Sequence, residues 1–323
     1  MRDNVLFGAF LCLIASMSWG AMFPVARDAF YHIDPFYFTI LRYGSVTIIL
    51  VIALLLREGR SAFRFEGKLF PLWFFGTMAF TVYNLLIFYG QDLLGEPGVM
   101  VASINEALMP MISVVIIWLL YRNRPYTFTL FCVLLGFIGV TLVITKGDIT
   151  GFLSRTGDII PTLLIFIAVV GWVVYTMGGE RFIGWSALRY STLSCLLGTA
   201  TAGVIVAIVT MTGYVSVPTV ETVKLVSPHI LFMIIFPGVI ALVGWNVGVM
   251  ILSPLNGLLF INFVPVTTLV INYFQGMEIT PYDYIGTAFI IVALLSNNIF
   301  LRIQQRKHHE KIGYEGKLQE KVT

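Results

Sequence analysis

The chain consists largely of apolar runs, each about 20 residues long, joined by short polar connections. Charged residues make up only 11% of its 323 residues, whereas soluble globular chains contain roughly 25%. A run of this length is what an α-helix needs to cross a bilayer. Its continuous hydrophobicity excludes a transmembrane β-barrel, whose strands alternate. We therefore expect an all-α integral membrane protein with ten transmembrane helices. The expected spans are residues 6–26, 36–56, 70–90, 98–120, 127–146, 157–177, 188–211, 229–251, 254–274 and 284–302.

The positions of lysine and arginine predict the orientation of these spans. If the N-terminus is cytoplasmic, most of the 20 basic residues fall in cytoplasmic connections and in the basic tail, 305–323. Those expected outside are Arg27, Lys146, Arg155 and Lys224, and those within spans are Arg42 and Arg189. This asymmetry follows the positive-inside rule. We expect both termini to be cytoplasmic and the protein to be a multi-pass protein of the cell inner (plasma) membrane. The net charge of +3 reflects that topology and gives no reason to expect a nucleic-acid partner.

A sequence repeat divides the spans into two sets of five. The tripeptide Leu-Arg-Tyr occurs at residues 41–43 and again at 188–190, near the start of the second and the seventh span. Other marks recur in the same order, namely Trp19 with Trp172 and Pro110 with Pro265. Because five is odd, the second copy enters the membrane from the opposite side. Such inverted repeats are typical of secondary transporters, whose substrate site lies near the midplane where the halves meet. We expect the halves to be residues 1–148 and 149–304.

The two repeated arginines, Arg42 and Arg189, have two interpretations. Each lies near one end of its span with a tyrosine beside it, so it can anchor the helix by extending its guanidinium to the membrane interface, or form hydrogen bonds to another helix. Alternatively, the pair controls gating at the two mouths of the pathway.

Two spans carry a proline beside polar residues at corresponding places. Proline lacks an N–H and breaks the helical bond one turn back, so Pro110 loosens the helix at Asn105 and Glu106, and Pro265 does so beside Asn262. Unpaired backbone at membrane depth is tolerated where protein or a water-lined cavity meets it. Glu106 is an acid deep in a span, which indicates a functional site. It can carry a coupling proton, bind a cationic substrate group, or act as a protonated acid bonded to another helix.

Aromatic and amide side chains at mid-span complete the expected site. Tryptophan in membrane proteins is usually enriched at the interfaces, so tryptophans at mid-span favour the lining of a cavity over anchoring, with packing between helices as the alternative. Aromatic faces stack on planar substrates and attract ammonium groups. The expected substrate-binding residues are Trp19, Tyr83, Asn84, Asn105, Glu106, Trp172, Tyr175, Trp245, Asn246 and Asn262.

The sequence contains no motif for other energy sources or for catalysis. A phosphate-binding Gly-rich loop ending in Gly-Lys-Ser/Thr is absent, so ATP is not expected to drive this chain. The histidines, His32, His229, His308 and His309, lie apart from any cysteine or carboxylate cluster. We expect no metal, no cofactor and no enzymatic activity, although a membrane enzyme or scaffold remains the alternative from another class.

Several segments together resemble the EamA-type branch of the drug/metabolite transporters, which have ten helices in two inverted five-helix copies. The resemblance is carried by "SWGAMFPVA" at Trp19, by the positions of Arg42 and Arg189, by "ASINEALMPMISVV", by "LNGLLFINFVPVTTLV", and by "QGMEITPYDYIGTAFII" with Glu278 and Gly286. Within that family, "GWNVGVMIL" is most similar to the YddG-like aromatic amino-acid exporters. The resemblance implies efflux of small metabolites through a central cavity by alternating access of the halves.

These observations predict a secondary transporter that exports amino acids, aromatic ones included, and related small metabolites across the inner membrane. The alternative is a proton-coupled exporter of cationic drugs or other metabolites that uses Glu106. The expected partners are the small-molecule substrate, the lipid bilayer and, in the alternative, protons.

Overall fold

The structure, a computed structural model, describes residues 2–122, 125–148, 150, 156–276 and 279–320. These residues form helices and connections and contain no strand. The long helices are α1 (Arg2–Phe30), α2 (Pro35–Glu58), α3 (Leu69–Leu94), α4 (Glu96–Glu106), α5 (Met109–Tyr121), α6 (Thr127–Thr145), α7 (Thr156–Gly178), α8 (Ala187–Met211), α9 (Val220–Leu252), α10 (Phe263–Phe274) and α11 (Pro281–Glu320). Short helical turns lie at Arg60–Phe63, Gly179–Arg181, Pro254–Leu258 and Leu259–Asn262.

The expected membrane-spanning, all-helical architecture is confirmed. Eight helical segments in the described part of the chain are long and apolar enough to cross a bilayer, and α4 with α5, bent by 49°, make a ninth. The remaining expected span, 284–302, falls within α11, so the count of ten and the sidedness of the termini stay predictions. The backbone of residues 305–320, the expected tail, continues α11. Arg155 and Glu278, and residues 149 and 151–155 at the expected boundary of the halves, lie outside the described residues.

Side-chain caps explain where several helices begin. The Asp34 carboxylate accepts a hydrogen bond from Phe36 N (2.7 Å) just before α2, and Ser186 Oγ accepts one from Arg189 N (2.9 Å) before α8. These contacts satisfy backbone donors that a helix start leaves without partners. The eighth span was expected from residue 229, but α9 begins at Val220 because Thr219 Oγ1 accepts from Thr222 N (3.1 Å) and caps an earlier turn.

The two expected halves interlock. Helix α1 packs against α9 and α10, α3 packs against α7 and α8, and α2 packs against α8, so each of these contacts joins a helix before residue 148 to one after residue 156. Close approach is possible because glycines face backbone: a Cβ added to Gly198 would lie 2.2 Å from the carbonyl oxygen of Gly76. Small residues allow this kind of contact between membrane helices.

Two helices, those of the third and the eighth expected span, contain π-helical turns. Met78–Tyr83 is the π-helical part of α3, and Ile234–Ile240 is that of α9. Segments of this kind are rare and occur often at functional sites. The α4–α5 break at residues 107–108 and the turn Leu259–Asn262 before α10 correspond, and they precede Pro110 and Pro265.

We name the two ends of the bundle from the chain direction. The near end contains the start of α1, which meets the end of α9 where Gly8 approaches Ile251. It also contains the end of α2 and the start of α8, which are joined by a hydrogen bond from Ser186 Oγ to Glu58. The far end contains the end of α1 and the start of α2.

Candidate substrate pathway

A cavity of about 510 Å³ opens at the near end between α7, α8 and α9. The buried side chains Thr176, Tyr190 and Asn246 form its deep part, and the exposed Glu180 lies at its rim. Its other lining residues are Gly179, Phe182, Ile183, Gly184, Trp185, Val249, Met250, Ile251, Leu252, Ser253 and Pro254. A mostly apolar cavity with a few fixed polar groups is the usual form of a small-molecule site.

Asn246 is held in one orientation at the deep part of the cavity. Its amide nitrogen donates to Tyr175 OH (2.9 Å) and to Ser191 Oγ (2.8 Å). Tyr190 OH donates to the Tyr175 carbonyl (3.0 Å), and the two tyrosine rings stack with centroids 5.1 Å apart. Because both amide hydrogens of Asn246 are used, its amide oxygen is the group left to accept a hydrogen bond from a ligand.

Three tryptophans meet beyond the cavity, at the centre of the bundle. The Trp19 ring lies 5.0 Å from that of Trp172 and 5.1 Å from that of Trp245, both edge-on, and Trp172 lies 5.1 Å from Tyr83. Trp245 Nε1 donates to Thr176 Oγ1 (3.3 Å), whereas the buried Trp172 Nε1 has no hydrogen-bond partner. We call Trp19, Tyr83, Trp172 and Trp245 the aromatic cluster. Through Trp245 the cluster contacts Thr176, a residue of the cavity lining.

Both π-helical turns supply backbone acceptors to these buried side chains. In α3 the Ala79 carbonyl accepts from Asn84 Nδ2 (2.7 Å), and in α9 the Pro237 carbonyl accepts from Trp19 Nε1 (3.1 Å). An indole or amide N–H buried without a partner is costly. The irregular turns therefore fix the rotamers of two expected site residues.

A buried acid and a buried arginine lie on either side of the Tyr83–Asn84 turn. Glu106 is only 1% exposed, and its Oε1 accepts a short hydrogen bond from Tyr83 OH, while its Oε2 has no partner. Arg42 is also 1% exposed, with Nη1 3.5 Å from Asn84 Oδ1 and Cζ 4.6 Å from the Tyr43 ring centroid. The guanidinium of Arg42 therefore points into the core and contacts another helix, as expected of an inter-helix hydrogen bonder and not of an interfacial anchor.

Three phenylalanines pack together toward the far end. The rings of Phe30, Phe38 and Phe88 lie 5.4–5.8 Å apart in edge-on pairs. An ion pair between Arg27 and Glu96 joins α1 to the start of α4 above them. We call the three rings the phenyl plug. The cavity is thus open at the near end, and the phenyl plug fills space between α1, α2 and α3 toward the far end.

The second repeated arginine binds at the near end. Arg189 donates to Glu66 Oε1 (2.7 Å), and Trp185 Nε1 donates to Glu66 Oε2 (2.8 Å), which ties the α2–α3 connection to the cavity wall. The guanidinium also lies 4.0 Å above the Trp185 ring. The hydrogen bonds from Trp185 and Arg189 hold the pKa of the Glu66 carboxyl below its usual range. Arg189 is thus a link between two connections at the cavity mouth.

The structure brings together most of the expected substrate-binding residues, but only Asn246 lines the open cavity. Asn105 donates to the Val101 carbonyl of its own helix (2.8 Å), and the half-buried Asn262 leaves Oδ1 without a partner. Sequence analysis missed Thr176 and Ser191. Helical spacing from Trp172 to Thr176 could have indicated the first, whereas nothing in the sequence pointed to the second.

Two relatives of this chain are transporters by name. The EamA-like transporter family matches residues 6–145. "Uncharacterized transporter YrdR" of Bacillus subtilis (strain 168) is 54% identical over 308 residues, which cover 95% of this chain and 96% of that protein. "Uncharacterized transporter YyaM" of the same organism is 24% identical over 92% of this chain and 95% of that protein. A solved crystal structure shares the fold with a TM-score of 0.67 at 20% identity, covering 94% of this chain and 99% of that one.

These matches confirm the resemblance to the EamA-type transporters that was drawn from the sequence segments. The chain belongs to the EamA-like transporter family of the drug/metabolite transporters.

Proposed function

We propose that this transporter exports amino acids, aromatic ones included, and related small metabolites across the inner membrane. The observation that carries the proposal is the one-sided pathway, with a cavity of about 510 Å³ at the near end and the phenyl plug at the far end. We propose that the near end is cytoplasmic, as the basic residues predict, so that this conformation receives substrate from the cytoplasm. The two halves, 1–148 and 149–304, would then exchange access by rocking about the shared site.

The chemistry of the pathway supports an aromatic or amphipathic substrate. A planar side chain can stack on the aromatic cluster, and the oriented amide oxygen of Asn246 can accept a hydrogen bond from an amino group. The deep part of the cavity holds no charged side chain among its lining residues, so a neutral or zwitterionic molecule enters without an opposing charge.

Uptake of labelled phenylalanine, tryptophan and threonine into liposomes that contain the purified protein tests the proposal. We expect saturable flux that other amino acids compete with and that Trp245→Ala weakens, because Trp245 is fully buried in the aromatic cluster. Trp118→Ala is the matched control, since Trp118 is 37% exposed on α5. Absence of flux with all three substrates, in folded protein, would refute the proposal and leave the membrane enzyme or scaffold open.

A second candidate is proton-coupled export of cationic drugs or other metabolites. It is favoured by Glu106, a buried acid with one carboxyl oxygen free. If Glu106 carries the coupling proton, Glu106→Gln should abolish transport driven by a pH gradient while exchange at equal pH continues. Unchanged dependence on the gradient would rule out this role.

A further inference from the structure

Arg42 and Glu106 are opposite charges buried in the same region without forming an ion pair with each other. Both are 1% exposed, and neither occurs among the ion pairs of the described residues. Each contacts the Tyr83–Asn84 turn, Arg42 through Asn84 Oδ1 (3.5 Å) and Glu106 through Tyr83 OH. The two charges therefore face one short stretch of α3 from different helices.

Each of the two charged groups retains an unused hydrogen-bonding atom. Arg42 Nε and Glu106 Oε2 are buried and have no partner. The other contacts of Arg42 are weak, with the Met22 sulfur 3.4 Å from Nη1 and the Tyr43 and Phe88 rings at 4.6 and 5.7 Å from Cζ. Burying a charge costs free energy unless the charge is paired and all its hydrogen-bonding atoms have partners. The free atoms, a donor on a cation and an acceptor on an anion, point to a ligand that carries both opposite charges.

The same region provides a third free donor and a surface for an apolar group. Trp172 Nε1 has no partner, and the Trp172 ring packs on Tyr83, whose hydroxyl binds Glu106. Arg42 lies beside Phe88 of the phenyl plug, and Trp172 contacts Trp19 and through it Trp245, the neighbour of the cavity residue Asn246. These contacts connect the charged groups to the phenyl plug on one side and to the cavity on the other, which places them along the proposed route of transport.

We propose that Arg42 and Glu106 are the two poles of a binding site for the zwitterionic head of an α-amino acid. The Arg42 guanidinium binds the carboxylate, the Glu106 carboxylate binds the ammonium group, and the substrate side chain packs on the aromatic cluster. Guanidinium is well suited to a carboxylate because its N–H groups form a planar fork. A zwitterion adds no net charge, so all four charges are compensated when the site is occupied. This inference rests on the proposed function and names the part of the substrate that is recognised.

The pairing predicts which half of the substrate each residue recognises. Binding is measured as the rise in melting temperature of the purified protein with phenylalanine, with phenylalanine methyl ester, which lacks the carboxylate, and with 3-phenylpropionate, which lacks the ammonium group. Wild type should bind phenylalanine about tenfold or more tightly than either analogue, since a hydrogen bond to a buried charge is worth at least that factor. Arg42→Gln should lose the preference over the ester, and Glu106→Gln should lose the preference over 3-phenylpropionate.

Controls separate this pairing from other roles of the same residues. Arg57→Gln and Glu221→Gln, at exposed positions of α2 and α9, should keep both preferences. Arg42→Lys retains the charge and should keep part of the preference over the ester, which shows that the site has folded. Preferences that do not change in Arg42→Gln and Glu106→Gln overturn the pairing. So does a Glu106→Gln variant that loses only its dependence on a pH gradient, because Glu106 then carries a proton.

Flux in liposomes distinguishes failure of the pairing from failure of the proposed function. Phenylalanine flux with unchanged analogue preferences refutes the pairing alone. Residue-specific loss of the binding preferences without phenylalanine flux supports the site and refutes the proposed export.

Discussion

Gly198 provides a sharp test of the helix packing that positions the site. A Cβ at this position would lie 2.2 Å from the Gly76 carbonyl oxygen and 2.8 Å from Phe80 Cβ, whereas ordinary van der Waals contact begins near 3.4 Å. The obstacle is backbone, so it cannot be relieved by a rotamer change. In Gly198→Ala, helices α3 and α8 would have to part by roughly 1 Å, and overpacking of this kind costs about 1–3 kcal/mol.

The expected result is a lower melting temperature together with weaker transport. At about 2–4 °C per kcal/mol, the melting temperature of the purified protein should fall by about 2–12 °C. Transport should weaken because α3 carries Tyr83 and α8 carries Ser191, both of which contact the pathway. The assays are thermal unfolding in detergent and uptake into liposomes.

Gly203→Ala is the matched control on the same helix. An added Cβ meets nothing within 4 Å there, so the substitution should be neutral or stabilise by about 0.5–1 kcal/mol through helix propensity. Equal melting temperatures for Gly198→Ala and Gly203→Ala would refute the close contact between α3 and α8.

Three further predictions concern other parts of the pathway. Glu66 has a lowered pKa in the folded protein, owing first to the hydrogen bond from Trp185. Its contribution to stability is therefore complete above the ordinary glutamate pKa and is lost as the pH falls through the lowered value. The melting temperature of wild type should consequently fall more steeply toward about pH 3 than that of Glu66→Gln, and parallel curves would contradict the linkage. Phe88→Ala, at a fully buried position of the phenyl plug, should cost about 3–5 kcal/mol in thermal unfolding, and a loss below about 1 kcal/mol would show that the plug is loosely packed. Trp172→Phe should destabilise less than Trp245→Phe, because only the Trp245 N–H has a partner to lose; the reverse order in melting temperature would show that the Trp172 N–H is bonded.

The positions of the spans could be predicted because they depend on local properties of the chain. A continuous apolar run needs helix to satisfy its backbone in a membrane, and caps such as Asp34 fix a helix start over a few residues. The discontinuity between α4 and α5 also follows from local chemistry, since Pro110 lacks an N–H. Its place, residues 107–108, is within one turn of the expected loosened carbonyl.

The surroundings of the two repeated arginines could not be predicted, because they depend on which helices meet. Because the tripeptide around them is repeated, the sequence predicted the same environment for Arg42 and Arg189. In the structure Arg189 lies beside the connection that carries Glu66, whereas Arg42 contacts Asn84 and forms no ion pair with a carboxylate of the described residues. The hydrogen bond between Asn246 and Ser191 likewise joins two helices through residues that are 55 positions apart in the chain. No spacing in the sequence encodes such contacts.

The π-helical turn in α3 determines which side of this helix carries its contacts with α8 and with Arg42. Gly76 and Asn84 are eight residues apart, which in a regular α-helix places them about 80° apart around the axis. One inserted residue reduces that angle to about 20°. The backbone contact with α8 at Gly76 and the hydrogen bond to Arg42 at Asn84 therefore share nearly one azimuth. A displacement of α3 away from α8 would therefore also lengthen the contact between Asn84 and the Arg42 guanidinium. In a regular helix the two contacts would lie on different sides of α3, and one displacement would not affect both in the same way.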